Sequence, residues 1–599
     1  MPGWNYAFSL SREAVKAATP PGTVRLIGKN ENRPQQHSIT QHNGRYVDRV
    51  ANFPVPTADP ADPLNWARWR KFSCLAAVSS YAFVANFVSA SLAPALPIWN
   101  LSFPQSPRPP EDLVQFIAFN VLLLGLGNIF WVPLANVFGR RPIMVFSTLT
   151  LFIATACGTM TSDFGRVLAI RVFQGLGSSA SETVTPAIVG DMFFVHERGG
   201  WMALYTASLA SGSVVGGICG GYIAARLGWF ALFEVNAVLS GLTLLCAILL
   251  VPETIYHRAS LCLPVQRNIP RTSRFQPRTP APYLSLVSLP SMHMTVPSRF
   301  VGSIDQGPSL TWYQTSSSSD LSSPTPFRVS KVSKQNRSSR ATTANAIASE
   351  RQTPFTFLRS LKFGMYRGNV LYQFKKPWFT LRLPATWIVM FQYGGLVGGV
   401  AVISSVGPLL LDLPPYQWGD NSGLLFIGAL VGIVLGGLYT SLLADKRLKQ
   451  FAKNQDHGFA EPESRIPVLL PSLAVATGGL LVFGFCAQNP GRYQWVGLEF
   501  AYGMVSFALT QVPSIWFSYL IDSYAQLASD CFVMICILRG IIPFAWTFFV
   551  SQWVQRDGYL IPFGGFTVIM GVFSLLILPV IWMGKRMRIA TARYVVGNQ

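Results

Sequence analysis

An ionisable side chain inside a long apolar run is where solute or proton chemistry can take place. Arg171 lies in such a run and begins Arg171-Val172-Phe173-Gln174-Gly175-Leu176-Gly177. Hydrocarbon solvates a guanidinium poorly, so an arginine placed there must face a partner or a water-filled cavity. Glu182 follows about three helical turns later on nearly the same face. Arg171, Gln174 and Glu182 are therefore candidates for a substrate or proton pathway. Glu499, deepest in a later run, is the fourth. Each could equally be a hydrogen-bonded anchor or half of a structural ion pair, and spacing leaves both open. Arg539, Glu234, Asp522 and Asp530 also fall in or near apolar runs, and the last three sit close to run ends and read as interfacial.

Such residues need spans to carry them. Half of the 599 residues are hydrophobic and only 12% are charged. The charges gather at the N-terminus, in one central segment and in short connectors. Runs of about 18 or more apolar residues read as membrane spans. They fall near 72–98, 113–136, 142–162, 165–190, 201–224 and 229–251, then near 380–411, 420–444, 467–487, 493–521, 528–552 and 560–583. The expectation is an all-α membrane protein with twelve transmembrane helices in two six-helix bundles. Residues 71–251 form the first bundle and 379–584 the second. Residues 1–70 read as a disordered tail, 252–378 as a basic Ser/Pro-rich linker and 585–599 as a second tail.

The formal charge of +21 could suit nucleic acid. Its distribution argues otherwise, because the basic residues flank apolar runs instead of forming a stripe on a soluble domain. Alternate connectors differ in sign. One set holds Arg140-Arg141, Arg198, the central linker, Lys446-Arg447-Lys449 and Lys585-Arg586-Arg588. The other set is poor in Lys and Arg, so the first set, with both termini, should be cytosolic. The basic linker could touch anionic lipid. No secretory leader is expected, since the first seventy residues lack an apolar core. The eight cysteines show no metal-type spacing and most sit in apolar segments as small hydrophobes. The six histidines build no catalytic constellation, so an enzyme is not expected.

The connector after the second run reads Pro133-Leu134-Ala135-Asn136-Val137-Phe138-Gly139-Arg140-Arg141-Pro142. Here the chain resembles the major facilitator superfamily, and within it a fungal drug:proton-antiporter-like branch. That family's signature in this loop is Gly-x-x-x-Asp-Arg-x-Gly-Arg-Arg, and Asn136 stands where it has Asp. The resemblance implies a cytosolic gate in which Arg140 latches onto Asp191 at the end of the fourth span. Asn136, Gly139, Arg141, Glu197 and Arg198 would complete it. Asp191-Met192-Phe193-Phe194-Val195-His196-Glu197-Arg198-Gly199 and Pro252-Glu253-Thr254 also look like family loops. Arg171 with Gly175 resembles the family's Arg-x-x-x-Gly signature, associated with proton transfer.

The fifth run carries Gly212, Gly216, Gly217, Gly220 and Gly221. Glycine at every fourth position makes a smooth face for close helix packing. It also resembles the antiporter signature Gly-x-x-x-Gly-Pro-x-x-Gly-Gly, with Gly217 in place of the proline. The sequence Ser441-Leu442-Leu443-Ala444-Asp445-Lys446-Arg447 echoes the Gly139-Arg140-Arg141 loop, as duplicated halves would. Asn100-Leu101-Ser102 is a glycosylation sequon on the outer side, and Asn336-Arg337-Ser338 repeats the pattern in the linker.

These features point to a secondary transporter of a small organic solute working by alternating access. No Gly-x-x-x-x-Gly-Lys-[Ser/Thr] phosphate loop occurs, so the expected energy source is a proton gradient, with no cofactor or metal. Proton-coupled export of a drug-like molecule or secondary metabolite is the first expectation. Uptake of a cation or polyamine is the second, and a transporter-fold nutrient sensor the third. The expected partners are solute, protons and the bilayer, with no nucleic acid, in a monomer at the plasma membrane.

Overall fold

A computed structural model describes residues 2–25, 53–54, 56–57, 59–96, 110–161, 163–256, 369–454, 459–525 and 527–596. Asn100, the Asn336 sequon and most of the 252–378 linker lie outside these residues. Residues 1–257 and 349–599 belong to one compact unit, which holds every element below. The helices are α1 (Pro2–Ser9), α2 (Arg12–Ala17), α3 (Arg68–Ala90), α4 (Pro110–Leu126), α5 (Asn128–Phe138), α6 (Arg140–Gly158), α7 (Phe164–Ser179), α8 (Val184–Met192) and α9 (Val195–Leu227). They continue with α10 (Trp229–Leu250), α11 (Val370–Phe379), α12 (Pro384–Asp412), α13 (Phe426–Asn454), α14 (Leu469–Gln488) and α15 (Gln494–Tyr524). The last three are α16 (Ala528–Asp557), α17 (Leu560–Leu575) and α18 (Ile577–Val596).

Among the described residues, eleven helical stretches are long and apolar enough to cross a membrane. The expected fourth span is the exception. It runs as α7, a 3-10 turn at Ala180–Glu182 and then α8. Ser179 Oγ bonds back to the Leu176 carbonyl and Thr183 Oγ1 donates to Asn128 Oδ1 of α5, so side chains at the break bond outside the regular helix pattern. Pro186 falls in the first turn of α8, where its missing N–H leaves no intrahelical bond unmade. The break puts Glu182 on a turn halfway along the span.

Two pairs of helices join the halves: α9 runs along α13, and α4 along α16. A side chain at Gly125 of α4 would strike the Cys536 carbonyl of α16, so the two backbones need glycine there to approach. Gly212, Gly216 and Gly220 do face a helix, but it is α3 of their own half, at Phe83, Phe87 and Ser91. Gly217 faces Phe426 of α13 across the halves. A second ladder, Gly428, Gly432 and Gly436, packs α13 on Glu499, Gly503 and Phe507 of α15. Burial separates inner from outer helices. The apolar windows of α12 and α15 are 83% buried, against 33% for α10 and 22% for the α17–α18 stretch. The first pair lies inside, and the others turn toward lipid.

The described part of residues 1–70 is ordered, where the composition reads as a disordered tail. Ala7 on α1 is fully buried. Arg586 of α18 donates to the carbonyls of Phe8 (3.0 Å) and Leu10 (3.1 Å). Val24–Arg25 (β1) pairs antiparallel with Phe459–Ala460 (β2). Asp62 is buried and accepts from Leu64 N and from Thr57. Composition misses this because the partner surface belongs to other parts of the chain. Residues 585–596, expected as a tail, continue α18. Since α1 packs on α18, both ends of the chain share one face of the molecule, called here the terminal face.

Candidate functional site

A cavity of about 80 Å³ lies between the halves, room for several water molecules. Asn86, Ser89, Ser213, Tyr393 and Ser404 line it together with apolar side chains. Among the described residues, Arg539 of α16 is the one charged residue on its wall. Glu182, off the wall and 1% exposed, forms an ion pair with Arg539. The pair ties the broken fourth span of the first half to α16 of the second. The Arg539 guanidinium also lies 5.0 Å from the Tyr393 ring centroid, a cation–π contact. Its buried Nε has no hydrogen-bond partner among the described residues, so it keeps a donor to spare.

Arg171 is elsewhere and differently held. It donates to the carbonyls of Phe116 (3.2 Å), Val88 (3.0 Å) and Ser89 (2.7 Å), and to Gln174 Oε1 (2.9 Å). Asn120 Nδ2 donates to the Arg171 carbonyl at 2.9 Å. These bonds fasten α7 to α3 and α4. Arg171 and Gln174 thus form a hydrogen-bonded anchor, and the structure does not bring Arg171 to Glu182. Glu499 lies near the start of α15, in an apolar groove of about 490 Å³ lined by α13, α14 and α15, apart from the central cavity. The deep position inferred for it from the apolar run is not where the fold puts it.

On the terminal face, Gly139 takes φ +112°, ψ +154°, a backbone conformation that belongs almost to glycine alone. The Glu253 carboxylate caps the start of α6 by accepting from Arg140 N (3.1 Å) and Arg141 N (3.2 Å). A helix start leaves such N–H groups unpaired and favours negative charge. With its backbone held, Arg140 forms an ion pair with Asp191 and donates to the Ala187 carbonyl at 2.8 Å. Arg141 turns away to the Ile248 carbonyl (2.8 Å). Asn136 donates to Asp530 over a long 3.5 Å, and Lys376 of α11 lies 3.1 Å from the same carboxylate.

The bonds that cross between halves centre on Asp522. Arg198 of the first half reaches it at 2.6 Å, and Arg465 of the second at 3.0 Å. Arg465 also holds Asp445 (3.0 Å) and the Val195 carbonyl (2.9 Å). Asp445 accepts from Gly200 N at 3.1 Å. Glu197 stands outside the cluster, half exposed beside His196 at 3.5 Å.

The Major Facilitator Superfamily profile matches residues 78–529. The chain belongs to the Major Facilitator Superfamily. It is therefore a multi-pass membrane transporter of some solute and not an enzyme. Among its relatives are an uncharacterized MFS-type transporter of Schizosaccharomyces pombe and protein HOL1 of Saccharomyces cerevisiae. The first is 22% identical over 581 residues, covering 96% of this chain and 93% of the relative. The second is 25% identical over 570 residues, covering 91% of each. MFS-type transporter tndD of Aspergillus flavipes is 23% identical, over 88% of this chain and 84% of its own length. The solved structure of the proton:xylose symporter XylE shares the fold, with TM-score 0.53 and 13% identity over 86% of this chain and 97% of that one.

In this facilitator, Arg140 and Asp191 meet as the loop resemblance implies. Three charges that look interfacial or went unplaced in the sequence prove to have buried, paired side chains: Asp522, Asp530 and Arg539. Arg465, which closes the family-like segment Glu461-Pro462-Glu463-Ser464-Arg465 before the ninth span, is 1% exposed. One signal could have found these residues. A charged residue within or at the end of an apolar span is costly unless paired, so several of them in one chain are candidates for pairing with one another.

Proposed function

We propose that this facilitator is a proton-coupled exporter of a drug-like molecule or secondary metabolite, working by alternating access with no cofactor, as a monomer. The observation that carries the reading is the buried Glu182–Arg539 pair, which joins the halves beside the central cavity. Ionised, Glu182 holds Arg539 and ties the halves together. Protonated, it releases a guanidinium that then needs another partner. Leaving half of a buried pair alone costs about 3–5 kcal/mol, so proton uptake drives rearrangement of the site. The positive-inside distribution supports a cytosolic terminal face and a plasma-membrane protein with both termini inside. The Asp522 cluster, where Arg198 of the first half meets Asp522 of the second, is then the closed cytosolic gate, and the Arg140–Asp191 pair braces the first-half side of it. The glycine ladder of α9 and the loop resemblance favour antiport and export.

The cavity wall disfavours polyamine uptake, because among the described residues it carries no acidic side chain to meet a cation. A neutral or acidic organic solute with an apolar body fits better. The test is flux of labelled candidate solutes in proteoliposomes with and without an imposed pH gradient, for the parent protein and Glu182→Gln. The parent should respond to the gradient, and E182Q should bind solute yet ignore it. A parent protein indifferent to the gradient for every transported solute would refute proton coupling.

A further inference from the structure

The helix just before the second half has two faces with different chemistry. Its outer stripe is Leu371, Tyr372, Lys375, Trp378, Phe379 and Arg382. The first five positions fall at i, i+1, i+4, i+7 and i+8, one side of α11, and Arg382 follows on the 3-10 turn Thr380–Arg382. Leu371 is 75% exposed and Trp378 56%, and Lys375 and Arg382 are exposed beside them. Arg382 lies 5.5 Å from the Phe379 ring centroid. The opposite face, Gln373, Lys376 and Pro377, is buried. It packs on α5 of the first half and α16 of the second. From that face Lys376 reaches Asp530, the carboxylate that Asn136 of the first half also contacts. Immediately after Arg382 the chain enters a span, α12, at Pro384.

We propose that α11 is an interfacial membrane helix whose aromatic-basic stripe binds anionic lipid headgroups and acyl chains, and whose inner face passes that contact to the junction of α5 and α16 through Lys376 and Asp530. Its position decides the occupant. A helix that leads through the 3-10 turn Thr380–Arg382 into a span at Pro384 lies at the level of the headgroups. Aromatic rings beside Lys and Arg are the side chains that suit this layer. A stripe of this kind exposed to water would be a liability. The positive charge selects an acidic lipid, at roughly fivefold in affinity per basic residue. Asn136 carries no charge of its own, and Lys376 supplies a cation to Asp530 where the two halves meet. Lipid that holds α11 in place therefore holds α5 against α16. The lipid contact stands without the transport reading; only the consequence for gating rests on the cytosolic gate proposed above.

The test is hydrogen–deuterium exchange on the full-length protein in nanodiscs of phosphatidylcholine alone or mixed with phosphatidylserine. Phosphatidylserine should slow exchange in segment 370–382 and, through it, in segment 133–141. Lys375→Gln with Arg382→Gln, both on the exposed face, should erase the lipid dependence of both segments while exchange in α12 and α15 stays at the parent rate. Lys376→Gln should keep the lipid dependence of 370–382 and erase that of 133–141. Equal exchange in both bilayers for the parent overturns the proposal, as does lipid dependence that survives K375Q/R382Q. Protection found only in discs holding two copies assigns the stripe to a second copy and overturns it too. Lipid dependence in 370–382 with none in 133–141 of the parent overturns the link to the gate.

Discussion

Replacing Asp522 with asparagine keeps the side-chain shape and removes only the charge. Arg465 belongs to the same half as Asp522, so their bond persists in every arrangement of the halves and cancels. Arg198 belongs to the other half, and its 2.6 Å bond exists only while the terminal face is closed. In the variant Arg198 keeps two carbonyl acceptors, Gly190 (3.0 Å) and Phe193 (3.3 Å), so it remains hydrogen-bonded. What is lost is one charge-assisted bond across the halves, about 2–3 kcal/mol, which lowers the closed-to-open ratio by about 30–150-fold. Spin labels at Glu197 and Lys446, exposed on opposite sides of that junction, report the separation by double electron–electron resonance. Asp522→Asn should raise a long-distance population at the expense of the short one. Arg198→Gln should do the same, and the double variant should add little to either, since both remove one bond. An unchanged distance distribution in D522N, or strictly additive effects, would refute the reasoning.

Three further outcomes are expected. Gly139→Ala forces a side chain into a glycine-only conformation and into the Glu253 carboxylate, so the protein should lose about 1–3 kcal/mol and unfold at lower temperature in detergent; an unchanged melting curve argues against the cap. Arg171→Gln removes the charge-assisted bonds that fasten α7 to carbonyls of α3 and α4, at about 1.5–3 kcal/mol each, so it should damage folding yield on size-exclusion chromatography; an unchanged yield and elution profile argue against the anchor. Glu499→Gln should leave the pH-gradient dependence of transport intact, because the groove it lines is separate from the central cavity; loss of coupling in E499Q would move the proton site away from Glu182.

Much of the topology is legible along the chain because lipid imposes one strong rule. With no water to satisfy backbone groups, a crossing segment must be a long apolar helix, and hydropathy detects that locally. The fourth span tests the limits of this. Hydropathy marks it at 165–190, yet only the structure shows the 3-10 turn that lifts Glu182 toward α16. The loop signatures are legible for a related reason. Gly139 and Glu253 meet a local backbone demand, so their types are constrained wherever the partner lies.

Charge pairing follows no such local rule. Arg171 and Glu182 share a helical face on paper, but the chain bends between them, and each takes the partner that three-dimensional packing offers. Arg539, Asp522 and Arg465 read as scattered charges until the two halves come together. An apolar environment makes any unpaired charge expensive, and the fold decides which distant residue relieves it. The same holds for the first twenty-five residues, whose order comes from α18 and β2 at the other end of the chain. The sequence by itself therefore determined the spans and the two halves, since each follows from local composition and spacing, and its loop motifs carried the resemblance to the family. Only the tertiary structure decided that Glu182 belongs with Arg539 and Asp522 with Arg198, because those pairings depend on how the two halves meet.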